Sequence, residues 1–306
     1  MLPPRLKVLV RHIDDLPTLP RTVFRITEMI NNPRASARDL ASVITDDQVL
    51  TARLLRLVNS SFYGFPQRIS TVTRAIVLLG FDAIRHLLLT TSVFDVFSNR
   101  NQETTSSRED LWDHSLGCAV AAKVIGRHIR HEKIEELFVC ALLHDIGKIV
   151  SMVYAPNDYE AAVRLAAEKD ILLIEAETEL FEFTHTDTGR LLAERWNLPA
   201  MVTEVIRHHH TPGRAGDFVQ DAAIVHLADI FCRALRYGSG GDNRIPTPDP
   251  CVWDLLHIQE AHIDTLLRDI EADFNDIRPF TEAITTTASD GQEEGVTPAI
   301  FSPIAT

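Results

Sequence analysis

LLHDIGK, residues 142–148, closes the apolar run FVCALL and turns a buried helix into polar chemistry. His144 and Asp145 are good metal ligands placed side by side. Neighbours on a helix point about 100° apart, so both can reach one point beside it. A neutral imidazole with a carboxylate suits Fe, Mn or Zn better than Ca or Mg. Lys148 lies one turn beyond His144 on the same face, where it could set a cation against a phosphate. Taken alone, the stretch also reads as a polar helix C-terminus, with Gly147 near the end and Lys148 on the dipole. The remaining histidines decide between the two.

Beyond this stretch almost everything reads as helix. Proline and glycine fall between apolar-periodic runs, and no set of alternating strands is present. Short helices are expected at 2–13 and 21–32, joined by the Pro-stiffened DDLPTLP, Asp14 to Pro20. Ser36 followed by Asp39 predicts a capping box, and Asp46 or Asp47 caps the amphipathic helix that follows. YGFPQRIS is a loop, Ser70 or Thr71 starts the next helix, and Gly80 ends it. LLGFDAIRHLL could suggest a helix-turn-helix, but LLLTTSVF after it is too apolar to face a groove, and core packing explains it better. SNRNQETTSSRED, 98–110, is the best domain boundary. The expected organisation is an N-terminal helical lobe over 1–105, a second helical lobe over 106–282 carrying the site, and a flexible tail over 283–306. GSGGDNRIPTPDP, 238–250, reads as a flexible loop.

The chain of 306 residues is long enough for two domains, and its 45% hydrophobic content is that of a globular protein. The start, MLPPRLKVLV, does not read as a signal peptide. No uninterrupted apolar segment approaches the roughly 20 residues that span a bilayer. A cytoplasmic location without a membrane is the expectation. The cysteines Cys118, Cys140, Cys232 and Cys251 form no CxxC pair and read as buried free thiols. The net charge is −13, and it is uneven: 13 Lys/Arg face 9 Asp/Glu over 1–105, and 17 face 34 beyond. The acidic second half argues against a large nucleic-acid footprint.

Ligand-type residues recur through that second half. His114 lies on its first helix, His144 and Asp145 on the next, His185 at a helix start, His208, His209 and His210 at a helix end, and Asp229 inside the apolar run IVHLADIFCRAL. A carboxylate in such a run is costly unless paired or metal-bound. Singly each has an ordinary explanation: a satisfied histidine, a cap, an imidazolium on a helix C-terminus, an arginine partner. Together, several helices supplying imidazole and carboxylate read as a metal site in a helical bundle.

The order HS, LLHDIGK, HTDTG, HHTP and ADIF resembles the HD superfamily of metal-dependent phosphohydrolases. In the first half, LPTLP, DDQVLTARLLRLVNSSFYG and STVTRAIVLLGFDAIRHLLL resemble the HDOD family, a bacterial signalling and regulatory module, over roughly residues 12–275. The resemblance implies an all-α, two-lobed helical bundle with an HD-type core in the second lobe. Matched residue by residue to the related HD-GYP phosphodiesterases, it implies His114, His144, Asp145, His185, His209, His210 and Asp229 as metal ligands. His114, His144 and Asp229 would hold one ion, and His185, His209 and His210 the other, with Asp145 shared. One or two divalent ions are implied, Fe or Mn favoured and Zn acceptable. Asp145 and Lys148 are the catalytic candidates, Lys148 offsetting charge on a phosphate. No GYP signature follows the double histidine, so the regulatory reading ranks above hydrolysis of a nucleotide or cyclic nucleotide. The partners implied are a signalling protein and a phosphorylated small molecule.

Overall fold

Ser36 opens the first fully described helix, α1 (Ala37–Thr45). Its hydroxyl accepts from the Asp39 amide at 3.2 Å, and its own amide donates to Asp39 Oδ2 at 3.0 Å, closing the expected capping box. Asp47 caps α2 (Gln48–Val58) by accepting from the Leu50 amide at 2.9 Å. Asn59 then clips the following loop back onto the helix end: its Oδ1 accepts from Ile69 N at 2.6 Å and its Nδ2 donates to Ile69 O at 2.7 Å. Thr71 accepts from Arg74 N at 3.3 Å at the start of α3 (Val72–Ser98). Within α3, Gly80 stands at φ 86°, ψ 169°, so one helix ends there and a second begins at once. A positive φ of this kind is costly for any residue with a Cβ. After the break Ile84, Leu87 and Leu88 are buried, the core packing expected in place of a groove-reading helix.

This computed structural model describes residues 35–59, 65–98 and 105–290, together with Leu6, Arg25, Ile26 and Met29. The helices expected at 2–13 and 21–32 and the connector Asp14–Pro20 lie outside the described residues, apart from those four helical positions. Residues 60–64, 99–104 of the expected boundary and 291–306 of the expected tail also lie outside them.

The second half continues as α4 (Thr105–His128), α5 (Ile134–Leu143), α6 (Ile146–Tyr154), α7 (Pro156–Lys169), α8 (Leu173–Leu180), α9 (His185–Arg195) and α10 (Ala200–His208). Two short 3₁₀ turns lead into α11 (Val219–Leu235), α12 (Cys251–Leu256) and α13 (Glu260–Asp290). No strand occurs among the described residues, so the fold is all-α. Residues Leu137 to Leu143 of α5 and Asp221 to Cys232 of α11 are buried without interruption. Helices buried on every side belong at the centre of a bundle, and α4, α5 and α11 pack together there. The α3 helix packs on α4 and α5, and α13 reaches back to α4 and α2, so the core runs continuously from the first half into the second.

Helix bounds differ in places from those expected. The run EKIEELFVCALLHDIGKIVSMVY, 132–154, holds two helices, broken at His144 and Asp145. The expected boundary is already helical from Thr105 onward, and the start of the expected tail remains helical to Asp290. Among the described residues Ile134–Tyr154 is the one segment long and apolar enough to cross a membrane, and most of it is buried in this core.

Candidate metal centre

The break between α5 and α6 creates the centre. His144 still has helical φ and ψ, but Asp145 moves to φ −100°, ψ 11° before α6 starts at Ile146. The pair therefore does not lie along one continuous helix as the sequence suggested. The chain turns here because α6 runs against α9, and Gly147 is where they touch: a Cβ there would collide with the His185 carbonyl. That close approach brings His185, at the first position of α9, beside Asp145.

Asp145 is the hub. Its Oδ2 lies 3.2 Å from His144 Nε2 and 3.5 Å from His114 Nε2. Its Oδ1 lies 3.3 Å from His185 Nε2 and 3.7 Å from His209 Nε2. His114 on α4 is also 3.2 Å from Asp229 Oδ1 on α11. His210 Nε2 stands 3.1 Å from His185 Nε2. Two groups of four result, each with its ligand atoms within 4.8 Å of one another: His114, Cys118, His144 and Asp229, then Asp145, His185, His209 and His210. Every residue proposed from the sequence as a ligand falls into one of them. His208, which precedes the double histidine, points to Glu204 at 3.6 Å instead.

The imidazoles are oriented from behind. His144 Nδ1 donates to the Ala141 carbonyl at 2.6 Å, His209 Nδ1 to the Ile206 carbonyl at 2.9 Å, and His185 Nδ1 to Glu177 Oε2 at 2.7 Å. Each bond fixes the tautomer and leaves Nε2 free to face the centre. His226 supports the end of α10 by donating to the His209 carbonyl at 2.7 Å.

The residues fit a divalent cation on a physical ground. His144 Nε2, Asp145 Oδ1 and His209 Nε2 are buried and have no hydrogen-bond partner. Leaving a buried polar atom unpaired costs about 1–3 kcal/mol, and His144 Nε2 faces one group while Asp145 Oδ1 and His209 Nε2 face the other, so each group calls for a partner. Burial and neighbouring imidazoles hold His209 and His210 well below the ordinary histidine range, hence neutral and able to ligate. Burial opposes ionisation of Asp145, but the His144 imidazole and the Lys148 ammonium outweigh it and hold the carboxyl well below its usual range. Asp229 is shifted the same way: burial opposes, and Arg233 and His114 prevail. His114 moves upward: burial opposes the shift, and Cys118, Asp145 and Asp229 outweigh it.

Lys148 does not project into open space. Fully buried, its ammonium donates to Asp145 Oδ2 at 2.5 Å and to the Gly240 carbonyl at 2.7 Å. Its side chain folds back on Asp145 because the loop after α11 covers the centre. That loop, expected to be flexible, is tied down. Ser239 N donates to Asp110 O at 3.0 Å, Arg233 to Asp242 at 2.9 Å, and Asp249 N to His226 Nε2 at 3.0 Å. Arg233 also donates to Asp229 Oδ1 at 2.7 Å, so the arginine partner weighed for Asp229 exists beside its histidine contact. A cavity of about 430 Å³ adjoins His114, lined in part by Arg233, Arg236 and Arg244.

Sequence reasoning missed Glu177, Cys118 and Arg233. Glu177 lies in a different helix from the histidine it supports, with no local signal. Cys118 and Arg233 carry one: each stands four residues after a proposed ligand, on the same helix face.

Fold and site together define an all-helical protein with a buried histidine–aspartate centre suited to divalent cations. The chain belongs to the HDOD domain family, whose match covers residues 16–212 and so ends before Asp229. An uncharacterised protein of Treponema pallidum (strain Nichols) is 30% identical over 225 residues, which is 73% of this chain and 43% of that protein. The chain thus spans less than half of that curated relative. The crystal structure of an HDOD domain protein of unknown function from Geobacter sulfurreducens is similar at 28% identity and TM-score 0.67, over 92% of this chain and 96% of that one. A protein of Shewanella amazonensis SB2B, named as a candidate phosphohydrolase, shares the fold at 22% identity and TM-score 0.62, over 93% and 95% of the two chains.

Proposed function

We propose that this chain is a regulatory HDOD module of bacterial signal transduction whose second half holds one or two divalent cations. The observation that carries the reading is three unpartnered, buried donor atoms in the two ligand groups, His144 Nε2 in one and Asp145 Oδ1 and His209 Nε2 in the other. The ligands would be His114, His144, Asp145, His185, His209, His210 and Asp229. They come from α4, the α5–α6 break, α9, the end of α10 and α11, so a bound ion would staple these segments. Regulation ranks first because the centre is closed: Lys148 is held by Asp145 and Gly240, and the loop lies across it. The partner would be another signalling protein meeting the first half, where Val77 and Leu78 are 71% and 50% exposed.

The second reading is a phosphohydrolase acting on a nucleotide or cyclic nucleotide. It is favoured by the cavity beside His114, where Arg236 and Arg244 accompany an Arg233 already paired with Asp229 and Asp242, and whose size fits a phosphorylated ligand. A bound divalent pair would supply Lewis-acid polarisation and a nucleophile at neutral pH. Arg236 and Arg244 would orient the phosphate, and Lys148 would offset charge only after leaving Gly240.

Metal analysis of protein purified without chelator tests the first reading. One or two Fe, Mn or Zn per chain are expected. Metal-free protein whose stability is unchanged by any of these ions overturns it. A panel of phosphoesters separates the two readings: no turnover is expected, and phosphate release abolished by Asp145→Ala reverses the ranking.

A further inference from the structure

We infer that Cys118 is a thiolate ligand of the ion held by His114, His144 and Asp229, making that position a mixed sulfur, nitrogen and oxygen site. The inference rests on the metal-binding reading above and extends it. Cys118 follows His114 by one helical turn and is fully buried. Its Sγ lies 3.7 Å from His114 Nε2, the same ring nitrogen that Asp229 approaches. Metal–nitrogen and metal–sulfur bonds of about 2.0 and 2.3 Å at a tetrahedral angle set the two donors roughly 3.5 Å apart. The same arithmetic for nitrogen and oxygen gives roughly 3.4 Å, against 3.2 Å between His114 Nε2 and Asp229 Oδ1. His144 Nε2, fully buried and without a partner, completes the set.

The second cysteine nearby provides the contrast. Cys232 Sγ sits 3.6 Å from His114 Nδ1, the opposite ring nitrogen, and donates to the His114 and Tyr237 carbonyls. Of the two thiols, which also contact each other, only Cys118 has its sulfur within the ligand-atom group; with no ion bound, burial and Cys232 push its thiol well above the ordinary range. Charge points the same way. Asp145 and Asp229 already carry cationic partners, Lys148 and Arg233, and bring little surplus negative charge to an ion. A thiolate adds one negative charge, its proton leaving to solvent as the ion binds. A sulfur ligand also shifts the preference of this position toward zinc or ferrous iron and away from manganese.

Cobalt(II) is the probe. The full chain, stripped with chelator and titrated with cobalt, is expected to develop a near-ultraviolet thiolate-to-cobalt charge-transfer band. Cys118→Ser should abolish the band, and Cys232→Ser should retain it. X-ray absorption of the zinc-loaded wild type, which needs no variant to fold, should show one sulfur at about 2.3 Å. Cobalt or zinc bound with neither band nor sulfur scatterer overturns this inference and leaves the metal reading standing. No binding of either ion overturns both.

Discussion

Replacing Asp145 with asparagine probes the hub of the centre in two separable ways. The Lys148 ammonium is fully buried and donates to Asp145 at 2.5 Å, with the neutral Gly240 carbonyl as its other partner. Asp145→Asn removes the compensating charge and strands the ammonium. Breaking a buried pair from one side costs about 3–5 kcal/mol. At about 2–4 °C per kcal/mol for a chain of this order of size, Tm should fall by about 6–20 °C. The measurement is calorimetry in chelator, so that no ion contributes. Asp145→Asn combined with Lys148→Met removes both charges and should recover most of the loss, because an apolar replacement of a buried pair is often neutral. Metal uptake should fail in both variants, since Asp145 lies within 3.7 Å of four imidazoles from both groups. Asp145→Asn within about 1 kcal/mol of wild type would refute the buried pair. A double variant with full metal content would refute the hub.

Three further outcomes are expected. Glu177→Gln keeps the shape but loses the carboxylate on His185 Nδ1, and calorimetric titration with zinc should show about 10–100-fold weaker binding. Gly147→Ala forces a Cβ against the His185 carbonyl; denaturant unfolding should show a loss of at least about 1–3 kcal/mol, and unchanged stability would mean α6 and α9 do not touch there. Ser36→Ala opens the capping box and should cost about 1 kcal/mol by the same assay while metal content stays at the wild-type level.

What the sequence determined by itself was whatever rests on contacts within a few residues. The capping box of Ser36 and Asp39, the Asp47 cap, the start at Thr71 and the break at Gly80 are local hydrogen bonds or local φ preferences, and residue type alone encodes them. The family motifs belong here too, since the order of histidines and aspartates is a property of the string. The break at His144–Asp145 was only half legible: Gly147 read as a helix end, but it is the packing of α9 on Gly147 that turns the chain. The partners of Lys148 and His185 were not legible: Gly240 is 92 residues from Lys148 and Glu177 is a helix away from His185. Only the packed bundle decides which donors share a space, because burial removes water as the alternative partner and leaves the nearest side chain to satisfy each charge.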